Sequence, residues 1–150
     1  MLSDYLGFQR STLLHICAGL TGEQLARRAA PPSTLSLLGL IRHLAKVERI
    51  WFRERFGRQP VERLFGFEHG RDADFERTAP ALAEQAHAQL LDEWALADAA
   101  AAGAALADTF EHHGDPFSLR MVYLHMIGEY ARHNGHADMI RERIDGVTAD

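Results

Sequence analysis

EYARHNGHADMI, residues 129–140, places Glu129, His133 and His136 at i, i+4 and i+7, with Val122 and Met126 before them and Ile140 after them in the same steps of three and four. Such steps keep side chains on one face of an α-helix. Apolar residues at both ends make that face a packed one, so the polar trio points inward, where an unpartnered polar group is costly. Side chains four apart stand about 5–6 Å apart at Cβ, and Glu129 and His133 can therefore converge on one ion at bond lengths of about 2.0–2.2 Å. Two ligands bind an ion weakly, so a third is expected from a facing helix.

That helix is expected upstream, in STLSLLGLIRHLAKVERIWFRERF, residues 33–56, where His43 lies on an apolar stripe between Leu40 and Val47. Bundle helices pack with axes about 8–10 Å apart, a gap that His43 and the Glu129–His133 pair can close around one metal. By itself each signal is weak. A lone histidine on an apolar face is more often a hydrogen-bonded core residue, and Glu and His four apart are common surface neighbours. His136 could be a fourth ligand, an outer hydrogen-bond partner or the acid/base. His125 stands about 40° off the stripe at 100° per residue, and His15, His69, His87, His112 and His113 show no converging partner.

Periodicity predicts four long helices, over residues 3–20, 33–56, 78–103 and 118–146, and no strand pattern backed by β-branched residues. Thr21 opens a T-x-x-Q capping pattern before Pro31-Pro32, Ser33 or Thr34 is the expected cap of the second helix, and Gly146 that of the last. Gly128 and Gly135, seven apart, suggest a close helix approach. Residues 57–77 form a link far longer than the 2–8 residues usual between bundle neighbours. It is long enough to cross the bundle end to end, packed down by Phe65, Phe67 and Phe75, or to act as a lid. The expected fold is an all-α, single-domain four-helix bundle over residues 1–150 with one long crossover.

Composition narrows the function. Asp and Glu number 21 against 16 Lys and Arg, giving a net charge of −5, and Lys46 is the only lysine. That balance lacks the basic excess of a nucleic-acid or anionic-membrane binder. No window offers the 18 or so uncharged apolar residues of a membrane helix. The N-terminal stretch MLSDYLGFQR lacks the basic start and apolar run of an export signal. A single cysteine, Cys17, excludes an internal disulfide and fits a reducing, cytoplasmic setting, where it reads as a small buried hydrophobe.

Taken together, LSLLGLIRHLAKVERIWFR, residues 35–53, and HMIGEYARHNGHADMIRERIDG, residues 125–146, resemble the DinB superfamily of helical metalloproteins, in the branch similar to the metal-binding domain of mycothiol-dependent maleylpyruvate isomerase. The resemblance covers nearly the whole chain, strongly in these two segments and loosely between them. It implies an up-down-down-up bundle and a divalent metal, zinc before nickel or iron, held by His43, Glu129 and His133. It further implies transfer of a low-molecular-weight thiol, mycothiol or bacillithiol, onto a small-molecule electrophile, with His136 moving the proton and Arg42, Arg132 and Arg141 as candidates for binding the cosubstrate. Solvated helix-face roles compete for each arginine. Many superfamily members carry histidine where Glu129 stands and glutamine where His136 stands, so metal preference and outer shell are expected to differ. The isomerase has a further C-terminal domain for which RIDGVTAD leaves no room, so isomerase activity is not expected. Alanine and arginine richness suggests GC-rich coding and, through it, mycothiol. A non-catalytic helical dimer or stress-response binding module, with the same side chains as a hydrogen-bond network, and an Fe(II) oxygenase with a facial triad are the competing readings.

Overall fold

The computed structural model describes residues 1–66, 70, 72–76 and 78–149. Helix α1, Leu2–Cys17, buries Leu6, Arg10, Leu13 and Ile16, and ends short of residue 20 because Gly19, at φ 76°, turns the chain. The expected capping box follows: Thr21 and Gln24 each accept a hydrogen bond from the other's backbone N–H, opening α2, Gly22–Ala26. Helix α3, Leu37–Glu48, is capped by Ser36 rather than Ser33 or Thr34, with Ser36 Oγ accepting from Gly39 N at 3.0 Å. The Ser33 hydroxyl instead accepts from Leu35 N. Helix α3 runs straight on into a wider π-helical stretch, Arg49–Phe56.

The link holds a short helix, α4, Ala73–Glu76, which packs on α3. Of the residues expected to pin it, Phe65 and Phe75 are half-buried, whereas Phe67 lies outside the described residues, as does His69. A 3-10 turn, Pro80–Leu82, leads into α5, Ala83–Ala101. The last helix, α6, Leu119–Asp145, is capped by Ser118 and stopped by Gly146 at φ 79°. A Cβ on Gly128 or Gly135 would meet nothing within 4 Å among the described residues, so the expected close approach is not found there. It occurs at Gly39, where a Cβ would stand 3.3 Å from Phe75 Cα.

Cross-helix contacts give the helix directions. Asn134 donates to Gln9 and Arg141 to the carbonyl of Ile16, so α1 and α6 run parallel. Arg10 with Glu48 and with Asp98 sets α1 against both α3 and α5; His43 with Glu129 and Phe52 with Tyr123 set α3 antiparallel to α6. Arg49 with Glu93, and Gly57 beside Ala100 about two turns on, lay α5 parallel to α3, so the order is up-down-down-up and the long link joins two parallel helices. Leu6, Leu13, Leu40, Leu44, Phe52, Leu90, Val122, Met126 and Tyr130 fill the shared core. Through it runs a polar strut: Arg10 grips both Glu48 oxygens at 2.8 Å, and Trp94 donates to Tyr130 Oη at 2.7 Å. Burial raises the Glu48 carboxyl, and Arg10 opposes that rise.

One element departs from an all-α reading. Residues 109–118 form a hairpin of β1, Thr109–His112, and β2, Asp115–Ser118, with Phe110 opposite Phe117. His113 and Gly114 both take positive φ, 55° and 86°, as a two-residue hairpin turn demands. Four-residue strands without a β-branched run leave no alternation to detect, and HHGDPF reads only as a helix breaker.

Candidate metal centre

Where α3 and α6 meet, the His43, Glu129 and His133 ligand atoms lie within 4.8 Å of one another. Glu129 Oε1 stands 3.2 Å from His43 Nε2 and 3.3 Å from His133 Nε2. Four ligands at about 2.0–2.2 Å around a tetrahedral ion are separated by about 3.3–3.6 Å, so both edges are already near the spacing an ion would set. Side-chain exposures of 18 %, 11 % and 10 % place the three atoms at the edge of the core, reachable from solvent. Two imidazoles and a carboxylate suit zinc and its first-row neighbours.

Each ligand is held from behind. Asp74, on α4, accepts from His43 Nδ1 through Oδ2 at 2.8 Å, which turns Nε2 toward Glu129. Phe75 stacks on the His43 ring at 4.7 Å, and Lys46 Nζ stands 3.4 Å from the same Asp74 oxygen. Burial works to raise the Asp74 carboxyl, but the His43 hydrogen bond and the Lys46 charge outweigh it and hold it low. Burial likewise disfavours a charged His43, and hydrogen bonds to Asp74 and Glu129 reverse the effect, raising its pKa. Hydrogen bonds from His133, then His43, hold Glu129 far below the usual carboxylate range, and its second oxygen takes the Arg132 guanidinium. Asp74 escaped sequence reading because no spacing ties a residue in an irregular link to a helix thirty residues earlier.

His136 sits behind His133, the two Nδ1 atoms 3.3 Å apart. If His133 offers Nε2 to an ion, its Nδ1–H donates to His136, a pairing typical of metal-bound histidines. Burial, with His133 and Arg132 nearby, lowers the His136 pKa. The three arginines scatter. Arg132, 62 % exposed, stands at the mouth beside Glu129. Arg42 is buried, bonded to the Ala73 and Asp74 carbonyls and lying 3.9 Å over the Phe65 ring, so it straps the link to α3. Arg141 is two turns beyond His133, holding the Ile16 and Ala18 carbonyls and Asp145. The described hydrogen bonds that Arg42 and Arg141 make to other elements go to the link and to the end of α1.

Among the described residues no helix is long and apolar enough to cross a membrane. Neither curated proteins nor solved structures give a match at a significant level. The family model described as mycothiol-S-transferase matches residues 1–146, which takes in every helix and all the side chains of the centre, and the chain therefore belongs to the mycothiol-S-transferase family.

Proposed function

We propose that this chain joins the sulfur of mycothiol to a small electrophile at a divalent cation held by His43, Glu129 and His133. The observation that carries the reading is the pair of near-tetrahedral edges at Glu129 Oε1, 3.2 and 3.3 Å, on side chains each fixed by a second partner. When bound, a cation with two neutral imidazoles and one carboxylate supplies net positive charge that favours thiolate over thiol at neutral pH. The protein's own residues do the rest. Asp74 keeps the proton of His43 on Nδ1, leaving Nε2 as a lone-pair donor. His136 does the same for His133: its Nδ1 lone pair accepts the His133 Nδ1–H while its own proton stays on Nε2, so it takes up the thiol proton at Nδ1 only on letting go of His133, and passes a proton to solvent from Nε2. Arg132 sits at the opening, where it can meet polar groups of the cosubstrate. Zinc is the first expectation for the ion, and mycothiol the expected thiol.

The test is direct. Protein purified without added metal should carry close to one divalent ion per chain. His43→Ala and His133→Ala should lose it, and conjugation of mycothiol to an aryl halide, followed by absorbance, should fall to the uncatalysed rate. Metal-free protein that melts identically with and without chelator would instead support the non-catalytic module, for which the same hydrogen bonds suffice.

A further inference from the structure

Helix α3 and its π-helical extension run antiparallel to α6, and they meet again one turn back along α6 and about two turns on from His43: His43 faces Glu129 at the first rung, and Trp51 faces His125 at the second, ring centroids 4.3 Å apart. His125 precedes Glu129 by four residues, so the second rung stands about 6 Å from the first along α6. In an unbroken α-helix Trp51 would be rotated about 80° from His43. The π-helical winding from Arg49 turns less per residue, and so brings Trp51 back toward the face it shares with His43. The hairpin extends this wall: His112 and Phe117 pack on Trp51 at 5.5 and 6.2 Å.

The wall carries a cation whose hydrogen-bond donors the fold does not use. The Arg55 guanidinium lies 4.1 Å over the Trp51 ring, and among the described residues it has no hydrogen bond or ion pair. Its neighbour Glu54 is tied to Arg63 through both oxygens. Arg55 is within charge range of both imidazoles: its charge follows burial in lowering His112, and at His125 it adds to burial against the opposing charge of Glu129. The other arginines on α3 and the π-helical stretch are committed, Arg42 to the link and Arg49 and Arg53 to Glu93. A guanidinium stacked on an aromatic wall, with its five donors unspent, matches a planar carboxylate.

We infer that Trp51, His125 and Arg55 seat the second substrate of the transferase, and that this substrate is a flat aryl electrophile bearing an acidic group. The inference rests on the transferase reading for its chemistry but not for its binding. With an aryl chloride the thiolate sulfur bonds to the ring carbon, the carbon–chlorine bond breaks, chloride leaves with the electron pair, and the thiol proton goes to solvent.

The full chain should bind unreactive nitrobenzoate, by calorimetry, about tenfold or more tighter than neutral nitrobenzamide, as expected when a charge-assisted hydrogen bond is gained. Arg55→Gln should erase the difference, and Arg55→Lys should keep part of it. With mycothiol present, kcat/KM should favour chloronitrobenzoate over chloronitrobenzamide in the native chain and not in Arg55→Gln. Equal affinities, no measurable binding of nitrobenzoate at millimolar concentration, or a preference that survives Arg55→Gln would each overturn the site. Should the binding preference hold while no conjugate forms with any aryl halide, the transferase reading fails and the site stands. Should both conjugates form at equal kcat/KM, the reverse is true.

Discussion

Asp74 contributes one oxygen to His43 Nδ1 and keeps the other, Oδ1, buried without a hydrogen-bond partner among the described residues. A buried carboxylate oxygen left bare is costly, so the bond it does make has to hold the residue in place. Loss of a carboxylate behind a ligating histidine typically weakens metal binding about 10–100-fold. Asp74→Asn, nearly the same size, should do so with little change in helical content. Competition against a coloured chelator would measure it, and an unchanged affinity would show that His43 is oriented without Asp74. Cys17, with Leu14, Leu20, Ile41 and His87, lines a separate cavity of about 480 Å³ that none of the centre's side chains reaches. Burial, only partly offset by Arg141, raises its pKa from 9.0 to about 12. Since the thiolate is the reactive form, three units leave about a thousandth of the reactivity of an ordinary thiol. Iodoacetamide at pH 8 should label Cys17 readily in urea and hardly at all in the native chain. The sign for stability follows: above about pH 9 the unfolded chain releases a proton that the folded one keeps, so this group's contribution falls as pH rises.

Within α6, the two glycines are the helix's weak points. Both are exposed, neither is at positive φ, and an added Cβ would meet nothing within 4 Å among the described residues. Glycine in a helix interior costs about 1 kcal/mol relative to alanine, which for a domain of this size corresponds to about 2–4 °C. Gly128→Ala and Gly135→Ala should each raise Tm by roughly that amount by calorimetry; a fall would mean that the helix bends there. Their spacing of seven invited a packing explanation because sequence shows the face but not what lies opposite. The helices themselves, by contrast, were written in the chain. Apolar steps of three and four, the Thr21–Gln24 box, Ser118 and Gly146 are local signals with local causes, and His43, Glu129 and His133 converge because two such stripes face one another. What sequence could not show depends on distant partners or on backbone winding. The Asp74 support comes from an irregular link, the hairpin from two residues at positive φ, and the placement of Trp51 from a π-helical stretch indistinguishable in composition from α-helix.

Across the molecule, the centre adds a polar tie to elements that also meet in the core or along the link: α3 through His43, α6 through Glu129 and His133, and the link through Asp74. It does so at the margin of the core, while the interior is secured by Leu6, Leu44, Leu90, Met126 and Tyr130 and by the Arg10–Glu48 strut. Removing metal should therefore leave a cooperatively folding chain, unlike a small zinc domain whose folding energy is the binding energy. Restoring metal should stabilise it by mass action, because the unfolded chain does not present the three ligands together. At free zinc about a thousandfold above Kd the gain is about 4 kcal/mol, and at about 2–4 °C per kcal/mol the melting temperature should rise by about 8–16 °C. Calorimetry of chelator-stripped protein, with and without zinc, measures the shift. In His133→Ala, where one edge of the site is gone, the same zinc should move Tm little, while the stripped variant still melts in one transition. A native chain whose Tm ignores zinc would mean that His43, Glu129 and His133 close on each other as a hydrogen-bond network with no ion between them.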